Sequence, residues 1–214
     1  MFELLAVVLG SYLLGSIPFA LLVVRITSSA DIRRAGSGNA GGYNAYVVTQ
    51  SRLVGLIVGF LDALKGFVAV LLAGLLIPDS FWIQGVSLLG AVGGHNYPVW
   101  TGFKGGRGLS TTAGGLVTIG LAYTVAWCTL WVIARLLKRD ILWSNLAAIL
   151  LTPLVVWAVP WEWSERIIFV HVDRWTFEFF SCIISFVLLV GHLDAMKDVW
   201  KGSSGPDQNI PSSS

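Results

Sequence analysis

The sequence predicts an all-α fold: a polytopic membrane helical bundle of about seven transmembrane helices, two of them short, with the N-terminus outside and the C-terminus in the cytoplasm. Three observations carry this. Of 214 residues, 55% are hydrophobic and only 12% are charged, against roughly 25% charged in soluble domains. The apolar residues fall into runs close to the ~20 residues that a helix needs to cross the hydrocarbon core. Lysines and arginines gather in four clusters between those runs, and the positive-inside rule assigns all four to the cytoplasm. The net charge of +2 says less than this placement, and no nucleic-acid partner is expected.

The first apolar run, 2–24, is long enough to span, and no basic stretch precedes it. It is therefore expected to remain as a helix and not to be removed as a signal peptide. Further runs cover 53–77, 81–100, 121–137, 142–159 and 176–190. The basic clusters are Arg25/Arg33/Arg34, Lys104/Arg107, Arg135/Lys138/Arg139 and Lys197/Lys201. Keeping Arg107 and Arg135 on one side requires the chain to cross and return between them. A short helix over 109–119, a break at Gly120 and a longer helix over 121–137 satisfy that. Trp82, Trp100, Trp143, Trp161, Trp163 and Trp175 fall near segment ends, where amphipathic rings favour the membrane interface. Cys128 and Cys182 lie inside apolar runs and read as small buried hydrophobes, not as a disulfide or a metal site. Residues 1–202 form one domain, and the Ser-, Gly- and Pro-rich stretch 203–214 reads as a disordered polar tail.

Two glycine-dense stretches stand out. The first, "GSGNAGGYNAY" at 36–46, follows the first basic cluster. Glycine tolerates positive φ, so Gly36 and Gly38 let backbone amides converge on an anion, and Ser37, Asn39 and Asn44 add side-chain donors. An ordinary helix break at the interface is the competing account. The second, "GHNYPVWTGFKGGRGLST" at 94–111, surrounds Lys104 and Arg107 with Gly102, Gly105, Gly106 and Gly108 and ends on Thr111. Two cations among glycines suit phosphate, or a pair of phosphorylated substrates. The positive-inside rule explains the cations but not the glycines. This is not a nucleotide-binding P-loop, whose spacing and preceding strand are missing.

Asp62 and Lys65 lie three apart in an apolar run, hence on one helix face. Charges inside a membrane usually face a bundle interior or a polar cavity, so a structural ion pair and a site-lining role both stay open, as they do for His95. His192 and Ser144 fall on the cytoplasmic side at plausible depth for substrate, whereas His171 falls on the opposite side.

Together, "GSGNAGGYN", "FLDALKG", "GHNYPVWTGFKGGRGLST" and the region of His192 resemble the acyl-phosphate-dependent glycerol-3-phosphate acyltransferases, the PlsY-type membrane enzymes of bacteria. The resemblance runs from "SYLLGSIPF" at 11–19 to about Gly202. It implies seven helices in the bacterial inner (plasma) membrane and a cytoplasmic active site. The implied reaction moves an acyl group from acyl phosphate to the 1-hydroxyl of sn-glycerol 3-phosphate, giving lysophosphatidic acid and phosphate for phospholipid biosynthesis. Ser37, Lys104 and His192 are implied to be catalytic. Gly36, Gly38, Asn39, Asn44, Gly105, Gly106, Arg107, Gly108, Thr111 and Ser144 are implied to bind substrate or phosphate. The implied partners are the two substrates and membrane lipid, with no cofactor and no metal; oligomeric state stays open.

The chain also departs from the family pattern. Tyr43 stands where Thr is usual and Val47 where a phosphate-gripping Arg is usual. In the last motif Leu193 replaces Arg and Ala195 replaces Asn. One lost charge-assisted contact costs roughly 1.5–3 kcal/mol, and Arg52 or Lys197 lies on the correct side to compensate. A transferase of the same fold with another acceptor and a scaffold or lipid-binding subunit are the alternatives that these departures leave open; Asp62/Lys65 and the broken helices leave a transporter open as well.

Overall fold

The computed structural model describes residues 2–138 and 140–200, with only the backbone of Lys138. Arg139, Lys201 and the tail 203–214 lie outside the described residues. The described chain is helical throughout: α1 (Phe2–Gly15), α2 (Phe19–Ser28), α3 (Gly42–Thr49), α4 (Arg52–Leu76), α5 (Phe81–Asn96), α6 (Leu109–Ile119), α7 (Ala122–Lys138), α8 (Ile141–Ala158), α9 (Trp161–Glu165), α10 (Arg174–Gly191) and α11 (Leu193–Trp200). Four spans are long and apolar enough to cross a membrane: Phe2–Ser28, which joins α1 and α2, then α4, α8 and α10. The shorter α5, α6 and α7 complete the seven segments that the sequence predicts.

The break between α6 and α7 falls at Gly120, as expected. The Leu121 amide donates to the Ile167 carbonyl (2.7 Å), and the Phe169 amide donates to Ile119 (2.9 Å). A Cβ on Gly120 would come within 2.7 Å of the Ile168 backbone, so the close approach of the 166–169 loop needs glycine there.

Inside the first span, by contrast, two helices stand where one continuous helix is expected. Pro18 lacks an N–H and disfavours helix in the residue before it, so α1 stops at Gly15 and α2 restarts at Phe19. The half-buried Ile17 carbonyl accepts from Lys65 Nζ and from the Phe19 amide, each at 3.1 Å. Lys65 pairs with Asp62 at 3.0 Å, and Asp62 also meets His95 Nδ1 at 3.4 Å. The structure thus makes Asp62–Lys65 a buried ion pair and adds His95 to it.

Small residues let the helices approach closely, as is usual between membrane helices. A Cβ on Gly114 of α6 would overlap the Ala63 backbone of α4, and one on Gly66 would overlap Thr111. We expect Gly114→Val to force these helices apart and lower stability by about 1–3 kcal/mol, read as a fall in the thermal midpoint in detergent. An unchanged midpoint would mean that the α4–α6 contact is not tightly packed. Beside this contact lies the main core, where Leu88, Leu116, Ile119, Ile149, Phe177 and Phe180 pack together.

At one end, the 36–41 and 98–108 loops meet through Ala40 N–H to Gly105 O (3.2 Å), and Ala195 of α11 packs on Leu142 and Leu146 of α8. Arg33, Lys104, Arg107 and Arg135 line the cavities at this end. Glu162, Glu165 and Asp173 lie at the other end with the turn at Gly120. Cys128 and Cys182, expected to be buried, are instead exposed. Cys182 sits on an outward face of α10, where an apolar residue needs no protein partner if lipid surrounds it, whereas Cys128 of α7 faces the cleft between α4, α6, α7 and α8.

Candidate functional site

A cleft of about 780 Å³ opens at the basic end between α3, α4 and α6 on one side and α7 and α8 on the other. That is the size of a small-molecule site. Its lining changes character along its length. Ser37, Asn39, Arg52, Arg107, Ser110 and Arg135 line the polar part, and Leu116, Trp127, Trp131 and Leu142 line the apolar part. Trp127 and Trp131 stack along one wall at 6.2 Å between ring centroids, and the Arg135 guanidinium lies over Trp131 at 5.9 Å. The cleft therefore suits a ligand with an anionic head and a long apolar tail.

Two helices start on this cleft from glycines without a side-chain cap: α3 after Gly41 and α6 after Gly108. The N-termini of α4, α5, α8 and α10 are capped by Ser51, Ser80, Asp140 and Asp173. Uncapped N-termini present backbone donors and the positive end of the helix dipole, which favours anions. Gly108 itself takes φ +84°, a left-handed value suited to glycine.

The first loop is braced from within. The Asn44 side chain is buried. Its Nδ2 donates to the carbonyls of Ile32, Ala35 and Asn39 (3.0–3.2 Å), and its Oδ1 accepts from the Ser37 amide at 2.9 Å. The amides of Gly38, Ala40 and Gly41 are likewise bonded to Ala35, Gly105 and Asn39. These groups were expected to converge on a phosphate, and they hold the loop instead. Gly36 and Gly38 have positive φ (59° and 69°), so they shape the turn. Asn44→Ala removes four hydrogen bonds to the backbone, and we expect it to cost about 1–3 kcal/mol. Activity and thermal stability should fall together; activity lost at full stability would make Asn44 a ligand contact.

The second loop packs against the end of α5. Gly106 N–H donates to the His95 carbonyl at 3.1 Å, and a Cβ on Gly105 or Gly106 would overlap His95. Arg107 enters the cleft, while Lys104 is exposed and opens on a small adjoining recess with Arg33. Asp62 and His95 line both spaces. Arg33 is neutralised by Asp31 at 2.8 Å, and this bond holds the Asp31 carboxyl down to about 2. Lys104 has no ion pair among the described residues.

Besides Gly36, Gly38, Lys104, Gly105 and Gly106, three further expected contacts lie off the cleft. Thr111 is fully buried against Gly66, because the helical turn points it at α4; its neighbours Ser110 and Thr112 line the cleft. Ser144 is fully buried and donates to the Asp140 carbonyl at 2.6 Å; its neighbour Asn145 lines the cleft. His192 is fully buried one residue past α10. Burial depresses its pKa to about 4, with Arg107 adding to the effect, so the ring is neutral at pH 7. Its Nδ1 lies 2.7 Å from the Leu188 carbonyl and is thereby the protonated nitrogen. That leaves Nε2 as an acceptor facing Asn145 Nδ2 at 3.5 Å. Asn145 Oδ1 in turn accepts from Trp131 Nε1 at 2.7 Å, so His192 reaches the cleft through Asn145. Sequence reasoning missed Asn145, Arg135 and Thr112 as cleft residues. A helical-wheel reading of α6 and α8 would have found two of them.

Residues 5–202 match the model of the glycerol-3-phosphate acyltransferase family. The glycerol-3-phosphate acyltransferase of Mesorhizobium japonicum is 45% identical over 148 residues, 68% of this chain and 71% of that protein. The enzyme of the same name from Ehrlichia canis is 32% identical over 192 residues, 90% of this chain and 92% of that protein. Among solved structures, PlsY, an integral membrane glycerol 3-phosphate acyltransferase in its glycerol 3-phosphate form, superposes with a TM-score of 0.75 at 27% identity, covering 94% of each chain.

Proposed function

The chain belongs to the glycerol-3-phosphate acyltransferase family, and from that premise we propose that the cleft acylates the 1-hydroxyl of sn-glycerol 3-phosphate with acyl phosphate as donor. The observation that carries this reading is the pair of uncapped helix N-termini, α3 and α6, on one amphipathic cleft. Both substrates carry a phosphate, and one carries an acyl chain. The α6 N-terminus with Arg107 holds the donor phosphate, and the chain lies along Trp127, Trp131 and Leu116. The acceptor phosphate sits towards α3, Ser37 and Arg52. The acceptor hydroxyl attacks the donor carbonyl, the carbonyl–oxygen bond to phosphate breaks, and the hydroxyl proton passes to the departing phosphate. Acyl phosphate is a mixed anhydride, so holding two anions in register and screening their repulsion supply most of the catalysis. Lys104 supplies further screening from the recess beside the loop. The basic end faces the cytoplasm of a bacterial inner membrane.

Radiolabelled glycerol 3-phosphate offered with palmitoyl phosphate or palmitoyl-coenzyme A tests the donor. Label should enter lipid with the phosphate donor alone; equal labelling from the thioester would refute the donor assignment. Val47 occupies the position of the usual phosphate-gripping arginine. Val47→Arg is expected to lower KM for glycerol 3-phosphate about tenfold, the effect of one charge-assisted contact. An unchanged KM would mean that Arg52 already makes that contact.

A further inference from the structure

We propose that the buried set Lys65–Asp62–His95 is a positioning device that fixes the height of the 104–108 loop above the cleft, with His95 as the seat on which Gly106 rests. The inference rests on the site reading above, since that reading gives the loop its work, but its geometry stands apart from the reaction.

Four observations carry it. First, the Gly106 amide donates to the His95 carbonyl at 3.1 Å, satisfying one of the carbonyls that the end of α5 leaves open. Second, Gly106 lies so close to the His95 Nε2 edge that even a methyl group there would overlap the ring. Any movement of the ring therefore moves the loop. Third, the ring is held from behind: Asp62 Oδ1 lies 3.4 Å from His95 Nδ1 and 3.0 Å from Lys65 Nζ. Lys65 also donates to the Ile17 carbonyl at the Pro18 break at 3.1 Å. All three side chains are nearly inaccessible to solvent. Fourth, Asp62 and His95 stand in the wall common to the cleft and to the Lys104 recess, directly beneath Gly105 and Gly106. A pair that served stability alone has no reason to stand there. The position carries both cations of the loop, and a misplacement of about 1 Å at such a group costs about 10²-fold in rate. His95 is thus a positioning residue that acts through Gly106 and Arg107.

The test compares wild type, His95→Ala, His95→Asn, Gly106→Ala and the Gly106→Ala/His95→Ala double variant by hydrogen exchange of segment 104–108 and by transfer rate. His95→Asn keeps an N–H donor towards Asp62. His95→Ala and Gly106→Ala should each speed exchange of 104–108 at least about tenfold and slow transfer about 10²-fold, with α4 and α5 still protected. His95→Asn should restore most of both. The double variant should be no worse than either single one, because the two changes disturb the same contact. Unchanged loop exchange in Gly106→Ala, or losses that multiply in the double variant, would overturn the proposal. Loss of rate with a fully protected loop in His95→Ala would make His95 a catalytic residue instead. If His95→Ala does not fold, His95→Asn and Gly106→Ala decide the matter. A wild type that exchanges as expected but acylates nothing would fail the functional reading and leave the seat intact.

Discussion

Lys104→Ala is expected to lower kcat/KM for acyl transfer by at least about 10²-fold while leaving the protein folded. Lys104 is exposed and has no ion pair among the described residues, so its removal strands no partner. Its backbone is fixed: the Lys104 carbonyl accepts from Thr101 Oγ1 at 2.8 Å, and the next residue, Gly105, binds Ala40 across the seam between the loops. In the proposed reading, its ammonium acts from the recess beside the loop to screen the repulsion between the two phosphorylated substrates. Lys104→Arg should recover part of the loss, since charge matters more than shape for screening. Steady-state kinetics with a thermal melt of each variant give the answer. Near-normal turnover would remove Lys104 and its recess from the site.

The second large effect is on stability. Lys65→Ala leaves Asp62 buried without its ammonium, and breaking a buried pair by removing one partner costs about 3–5 kcal/mol. The Ile17 carbonyl loses its Lys65 donor as well and keeps the Phe19 amide, so the break in the first span is less well supported. The double exchange Asp62→Asn/Lys65→Met removes both charges and should regain much of that loss, because neutral groups carry no comparable desolvation cost. Equal melting of Lys65→Ala and wild type would mean that water reaches the pair.

The membrane bundle was legible because its signals are large and additive. Run lengths and basic clusters fixed seven segments, and the need to return Arg135 to the side of Arg107 located the break at Gly120. The break at Pro18 was not resolved, since an apolar run on both sides hides a single proline. Within the site, the glycine stretches were correctly singled out but only partly interpreted. Gly105 and Gly106 allow backbone to pack on His95, and the Asn44 side chain braces the first loop, where an anion-binding nest was expected. Composition does not distinguish a glycine that opens an anion site from one that closes a backbone contact. Ser144 and Thr111 lost their places to Asn145 and Thr112 because one helical step turns a side chain by about 100°. Ala195 and Leu193, which break the family's last motif, lie on α11: Ala195 packs against α8 and Leu193 is exposed. Lys197, named as a compensating cation, pairs with Asp194 at 3.1 Å, whereas Arg52 lines the cleft.

Phosphate release from palmitoyl phosphate by the purified protein, with and without glycerol 3-phosphate, tests the central claim most directly. The account predicts release that depends on glycerol 3-phosphate and matches lysophosphatidic acid formed mole for mole. Release at the same rate without the acceptor, or none with it, would contradict an acyl-phosphate-dependent transfer in this cleft.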